Sequence, residues 1–526
     1  MPQITGSLTG TAQSDLFTGS LEVVDLTADT AEVGIGNATI NALGGDDIIE
    51  SIVTLKPGVG ELTLSATGIA DTTINAGVGN DTVFGQGSAA DFLEGFGTRG
   101  PRFSGDGLGY GLTNSTINGG SGNDTLTFIG EGAGFRSTRI DGVFVTLPNS
   151  IGVLNATVNG GSGNDKIVVE GELGASEATL RGGAQQDEIE VKGEKTAADK
   201  STINGGADSD KITINATTRG DVAGVLNTQV RGAAGDDTID ILGSALPVGG
   251  RGLPSTESVT VEENSRISGG AGNDTISIRS VSSAAGGSSA TAIQNAAVSG
   301  GTGNDTISIS AEAGGIGGRA FAAADAEIVG GSGDDALSFE ALATGSSVTA
   351  AGAIRSNIRG GAGNDTMSFK IGGSTSNATS SSAITDSQIY GNDGNDRFTV
   401  TVESFQFAQP DGQPRYDITD ALIFGGEGDD TFDVGIGDGK LNGGAGNDVA
   451  IIDYFDAETM SVSAIANGVQ IVGTKTRSGT DGNWTQDITN TESFQIGMTT
   501  YTAQSLVSTF AGSAAADLAS ADLAIA

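Results

Sequence analysis

Fourteen times between Ala42 and Asp448 the chain repeats a version of Gly-Gly-x-Gly-Asn-Asp, most cleanly at Gly119-Gly120-Ser121-Gly122-Asn123-Asp124 and Gly269-Gly270-Ala271-Gly272-Asn273-Asp274. The closing aspartates are Asp47, Asp81, Asp124, Asp165, Asp187, Asp210, Asp237, Asp274, Asp305, Asp335, Asp365, Asp396, Asp430 and Asp448. Neighbouring aspartates are 18 to 43 residues apart, and the 401 residues from first to last divide over 13 intervals into a period of about 31, within the range of stacked repeats.

The register around each aspartate is stricter than the period. Two residues after it stands an apolar side chain, from Ile49, Val83 and Leu126 through to Phe432 and Ala450, and seven residues before it stands another, from Ile40 and Ile74 to Leu441. The fourth residue after it is usually apolar as well (Phe128, Val169, Val191, Ile214, Ile278), so the segment leaving the turn alternates as a half-buried strand does. Strand, glycine turn, strand is the expected unit. One such unit cannot bury its apolar face, but stacked coils can, which predicts an all-β parallel solenoid of about 14 coils with the turns in one column. At about 4.8 Å per coil, 13 steps would span roughly 60 Å.

The pattern resembles the repeats-in-toxin family of secreted calcium-binding proteins. Its nonapeptide, Gly-Gly-x-Gly-x-Asp-x-(apolar)-x, is matched by Gly119 to Thr127, Gly160 to Val168, Gly269 to Ser277 and Gly360 to Ser368. The resemblance implies that the turns form a β-roll and hold Ca²⁺ between successive coils. The ligands it implies are the fourteen aspartates together with the backbone carbonyls of Gly119, Ser121, Gly160, Ser162, Gly269, Ala271, Gly300, Thr302, Gly330, Ser332, Gly360 and Ala362. The chemistry agrees: Ca²⁺ takes six to eight hard oxygen ligands, and glycine lets a backbone curl its carbonyls inward at positive φ.

The chain departs from that family in two ways. Tandem nonapeptides make an 18-residue coil with a turn on each side, whereas most coils here are longer and carry one motif, so one column of ions is expected, opposite a variable return of Ser, Ala, Thr and Gly. Only Asp430 to Asp448 keeps the 18-residue interval, and its opposite turn, Gly435-Ile436-Gly437-Asp438, is degenerate. Some turns are imperfect: Gln185 and Gln186 precede Asp187, Asp208 and Ser209 precede Asp210, and Asn392 replaces a glycine before Asp396.

Composition fits an acidic calcium protein. Formal charge is 25 − 65 = −40, a strong self-repulsion for a folded chain. One Ca²⁺ in each of 13 gaps would add about +26 and leave roughly −14, so calcium is expected to be coupled to folding. No basic stripe is available for nucleic acid, and the same balance opposes unaided binding to anionic lipid. There is no Cys for disulfides or thiolate metal sites, and no run of 18 apolar residues, so no transmembrane segment is expected. Met1 to Ala12 has neither a basic nor an apolar signal-peptide region. The family resemblance implies export without an N-terminal signal peptide, through a channel that reads an uncleaved C-terminal signal. The tail from Ala511 to Ala526, which lacks Lys and Arg, is the candidate; a terminal helix with Leu506, Phe510 and Leu518 covering an end is the plainer alternative.

Four regions are expected: an N-terminal cap over 1–36, the calcium-binding solenoid over 37–452, a C-terminal β cap and assembly region over 453–510, and a tail over 511–526. A hairpin is readable from Met460 to Lys475 around Asn467-Gly468. Thr491 to Leu506, with Glu492, Phe494 and Tyr501, is similar to segments that cap such repeats.

His is absent, which removes Ser-His-Asp and Cys-His catalysis. The carboxylates are better explained by the metal turns, and Lys211, Arg231, Arg279 and Tyr390 are too scattered to suggest a polysaccharide lyase or epimerase; no catalytic residues are assigned. An ice-binding face of outward Thr82, Thr125, Thr275, Thr306 and Thr366 is matched by ordinary strand propensity. The whole-chain architecture resembles oscillin-like fibril and sheath proteins and surface-layer proteins. That likeness implies a cell-surface structural protein whose partner is itself, as homopolymer, filament or lattice. A calcium-dependent adhesin binding cell-surface polysaccharide is the alternative.

Overall fold

The computed structural model describes the chain apart from residues 1–2, 27–29, 58–62, 90–105, 133–135, 141–142, 148, 248–254, 285, 374–380, 404–417, 436, 453–458, 478–479, 497 and 511–526. The tail expected to carry a secretion signal therefore lies outside the described residues. The rest is almost entirely β-strand and falls into two compact units. One comprises Met1–Thr218, Val222–Ile241 and Asn264–Ile267; the other comprises Arg219–Asp221, Leu242–Glu263 and Ser268–Ala526.

Each unit is a parallel β-solenoid. In the first, Thr116–Ser121 enters a turn and Thr125–Gly132 leaves it, and each pairs in parallel with its counterpart one coil on, Thr157–Ser162 and Lys166–Ser176. The register is the one the sequence dictates. Leu126 lies beside Ile167, Ile167 beside Ile189 and Ile189 beside Ile212, all buried. In the second unit the same row runs Ile276, Ile307, Leu337, Met367, Phe398, Phe432 and Ala450. Phe398 and Phe432 stack at 5.0 Å and 4°, as rings one coil apart must when their backbones are in register.

The far side is more regular than the sequence suggested. Where a variable return was expected, most coils carry a third strand, as in Ser289–Gln294, Arg319–Ala324 and Thr349–Ile354 of the second unit, which pair in parallel and bury Ala290, Ala320 and Ala350. It ends at a second corner. Ten residues before the aspartate stands a non-glycine residue at φ between 45° and 63°: Asn37, Asp71, Asn114, Asn155, Glu177, Lys200, Asn227, Asn264, Asn295, Asp325, Arg355, Asp386 and Asp420. Asn and Asp tolerate the left-handed region best, and they hold most of these places.

The ends differ. Residues expected to be a motif-free N-terminal cap contain a coil of their own, in which Ile4–Thr9 and Leu16–Thr18 pair in parallel with Thr30–Asn41 and Ile48–Pro57. At the other end the chain turns antiparallel. Thr459–Ile465, Gly468–Arg477 and Thr480–Thr489 form a meander, and its hairpin loop is Ala466-Asn467, one residue earlier than Asn467-Gly468. Helix Ala503–Phe510 follows, burying Leu506 and Phe510, with Phe510 edge-on to Tyr501 at 5.7 Å.

Candidate metal column

The sequence buries its charges at the turns. All fourteen closing aspartates are at most 4% exposed. In the first unit the N–H of Asp81 donates to Oδ1 of Asp124 at 2.7 Å, Asp124 to Asp165 at 2.8 Å, Asp165 to Asp187 at 2.8 Å, and Asp187 to Asp210 at 2.8 Å. In the second, Asp305 donates to Asp335, Asp335 to Asp365, Asp365 to Asp396, and so on to Asp448. A neighbouring ladder runs in the opposite sense: Asn123 N–H donates back to Asn80 Oδ1, Asn164 to Asn123, Asp334 to Asn304 and Asn364 to Asp334, at 2.7–2.8 Å. The two ladders lock each turn to the coils before and after it.

The aspartate ladder uses only one carboxylate oxygen. Among the described residues, Oδ2 of Asp47, Asp81, Asp124, Asp165, Asp187, Asp210, Asp305, Asp335, Asp365, Asp396, Asp430 and Asp448 is buried without a hydrogen-bond partner. A buried, unpartnered charged oxygen is costly, and a dozen of them in equivalent places call for a shared ligand. Burial pushes these carboxyls up against the opposing N–H bonds. Asp81, Asp124, Asp165, Asp305, Asp335 and Asp430 reach about 6, and Asp187, Asp210, Asp365 and Asp396 about 7. Asp47 and Asp448 are raised by the same loss of water.

The orphan oxygens face backbone oxygen. A Cβ built on Gly330 would lie 2.5 Å from Asp335 Oδ2 and 2.5 Å from the carbonyl of Gly360 in the next coil. On Gly160 it would stand equally close to Asp165 Oδ2 and the Gly182 carbonyl. A carboxylate oxygen and a carbonyl from consecutive coils thus converge on the space a glycine leaves open. Both are hard oxygen donors of the kind Ca²⁺ takes, so the donor set fits that ion. No group of three or more His, Cys, Asp or Glu side chains gathers at one point among the described residues, so an ion here depends on carbonyls beside the carboxylates.

Of the carbonyls implied as ligands, those of Gly160, Gly330 and Gly360 lie on that space. Those of Ser121, Ser162, Thr302, Ser332 and Ala362 accept N–H bonds of 2.7–2.8 Å from Gly79, Gly122, Gly272, Gly303 and Gly333, and each has its second lone pair for a ligand.

Sequence reading missed two members of the ladder. Asp15 donates its N–H to Asp47 Oδ1 at 2.7 Å, and Glu492 Oε2 accepts the Asp448 N–H at 2.9 Å. Asp15 was legible, with Leu8 seven residues before it, Gly10 five before and Phe17 two after. Its Oδ2 accepts from both the backbone N–H and the hydroxyl of Thr11. Glu492 has Phe494 two residues on, but its turn lacks the glycines.

Buried carboxylates stacked at glycine turns of a parallel solenoid define a cation-binding repeat protein. The family model for the RTX calcium-binding nonapeptide repeat (4 copies) matches residues 67–95, 111–127, 262–277, 355–373, 386–400 and 420–450, segments that contain Asp81, Asp124, Asp274, Asp365, Asp396, Asp430 and Asp448. The matched segments are similar to that repeat, and Ca²⁺ is the ion such repeats bind between stacked turns. No curated protein matches the chain.

Proposed function

We propose that this is an exported structural protein of the cell surface that folds on calcium and joins other copies of itself into a fibril, sheath or lattice. The observation that carries the reading is the row of buried aspartate Oδ2 atoms without partners, set against glycine carbonyls of the next coil. The proposed ligands are the fourteen closing aspartates with the carbonyls named above. Repeats fill most of the chain, which supports a role for the solenoid itself rather than for an attached catalytic domain. Low calcium inside a cell would leave the turns as an extended polyanion, and millimolar calcium outside would let them close.

The test is a calcium titration of the purified chain followed by circular dichroism, light scattering and electron microscopy. Ordered β-structure followed by fibres or sheets is expected. A protein that folds with calcium but stays monomeric at high concentration would retain the calcium part and replace assembly with a monomeric adhesin.

A further inference from the structure

The turns are of two kinds, and they are unequally shared between the units. At Gly122, Gly163, Gly272, Gly303, Gly333 and Gly363, two residues before the aspartate, φ lies between 117° and 132°, a conformation that side-chain-bearing residues rarely adopt. Gln185 and Asp208 stand in the same place at φ 76° and 73°. Four residues before the aspartate, Gly301, Gly331 and Gly361 lie at 125° to 131°, whereas Leu43, Ala233 and Asn392 lie at 79°, 94° and 82°. The φ of a residue aims the carbonyl of the one before it. A rotation of about 40–60° at Gln185 and Asp208 therefore re-aims the carbonyls of Ala184 and Ala207. The ladder registers the change: Gly163 N–H reaches the Ala184 carbonyl at 3.1 Å, against 2.7 Å for Gly303 to Ser332 and for Gly333 to Ala362.

A second departure puts a side chain in place of a glycine. Five residues before Asp47 and Asp81 stand Ala42 and Ala76. A Cβ at that position in the Gly160 and Gly330 turns would lie 2.5 Å from the carboxylate oxygen, so the Ala42 and Ala76 turns cannot share the geometry of the glycine turns.

In the first unit only the turns of Asp124 and Asp165 keep glycine at all three places; those of Asp47, Asp81, Asp187, Asp210 and Asp237 each lose at least one. In the second unit Asp274, Asp305, Asp335, Asp365, Asp430 and Asp448 keep all three, and only Asn392 before Asp396 departs. Intact turns must also be neighbours to frame an ion from both sides. Asp305, Asp335 and Asp365 are consecutive and intact, whereas Asp187 and Asp210 are consecutive and both altered.

We infer that the two units have separate calcium thresholds. The unit holding Asp274 to Asp448 orders at the lower concentration, and the unit holding Asp47 to Asp237 orders only at calcium about tenfold higher or more, since ligand number and rigidity set calcium affinity over decades. This rests on the calcium reading of the turns. Such a chain passes through a state with one unit ordered and the other open, so it reports two calcium levels.

The experiment is hydrogen–deuterium exchange with mass spectrometry on the full chain, from chelator to millimolar free Ca²⁺. Peptides across 300–305, 330–335 and 360–365 should gain protection at about tenfold lower calcium than those across 182–187 and 205–210. The double variant Gln185→Gly/Asp208→Gly should lower the calcium midpoint of its own unit and leave the other unchanged. A single midpoint for all these peptides, or a double variant without a shift, overturns the inference while calcium binding stands. If no turn responds to calcium, the calcium reading falls with it.

Discussion

The backbone N–H of Asp305 donates to Oδ1 of Asp335 at 2.8 Å, and Oδ2 of the same Asp335 is buried without a partner. One oxygen holds the coils in register, and the other is the one proposed to meet a cation. Each coil thus sets a carboxylate in line with those above and below it.

Removing calcium should therefore open the coils. With a formal charge of −40 and carboxylates one coil apart, chelation is expected to abolish most of the β-type circular dichroism at neutral pH, and added millimolar Ca²⁺ should restore it. A chelated protein with an unchanged spectrum and melting temperature would contradict this.

Acid should partly replace the metal. The folded carboxyls of Asp124, Asp165, Asp305 and Asp335 lie at about 6 and those of Asp187, Asp210, Asp365 and Asp396 at about 7, above the 3.8 of a free aspartate. Groups raised by folding contribute stability that is whole below about pH 4 and lost as pH rises through 6 to 7. Calcium-free protein should accordingly melt at a higher temperature at pH 4.5 than at pH 8. With saturating calcium the trend reverses, because protons compete for the same oxygens. Melting curves over that range with and without chelator check both signs; a calcium-free Tm that climbs with pH would refute the first.

Much of this was legible in the sequence because each aspartate fixes its neighbours. The rows at two residues after and seven before are buried in both units, from Leu126 beside Ile167 to Val298 beside Ile328. The far side was not legible because its signal is conformational. The left-handed corner accepts Asn155 and Asp325 but also Glu177, Lys200 and Arg355, so identity alone hides a position that φ makes plain. The third strand was hidden as well, since Ala, Ser and Gly carry little strand preference and enter a strand only when the neighbouring coil supplies hydrogen bonds. Glu492 escaped notice because it joins the ladder from a turn without glycines.

That corner gives a stability prediction. Asn155 has φ 48° and donates its side-chain amide to Asn114 Oδ1 at 2.9 Å. Asn155→Gly should cost little, whereas Asn155→Val should cost about 1–2 kcal/mol, the penalty for a bulky residue in the left-handed region. Equal Tm values for the two variants in calcium would show that the corner does not depend on the backbone conformation of this residue.

The glycine that opens the cradle should be less replaceable than one facing open space. A Cβ on Gly330 would press on Asp335 Oδ2 and the Gly360 carbonyl, whereas one on Gly287 finds its nearest atom at 3.4 Å. Gly330→Ala should reduce the number of bound calcium ions measured by equilibrium dialysis and lower Tm, by about 1–3 kcal/mol of stability in calcium. Gly287→Ala should leave both unchanged. Equal calcium content in the two variants would move the ion away from this glycine.

The end of the ladder can be tested without touching a calcium turn. Glu492 Oε2 takes the N–H of Asp448 at 2.9 Å, and Ser493 N–H returns a bond to the Asp448 carbonyl at 3.0 Å, so the C-terminal cap is joined to the last repeat through the same geometry that joins repeats to one another. Glu492→Gln keeps an acceptor and removes a charge from beside Asp448, and should be nearly neutral. Glu492→Ala leaves a buried N–H unsatisfied and should cost about 1–3 kcal/mol. The loss should appear first at the join, as faster hydrogen exchange at Asp448 and Val449 than at Ile307 or Leu337. Uniform exchange along the second unit in Glu492→Ala would mean that the cap is held by its apolar contacts alone.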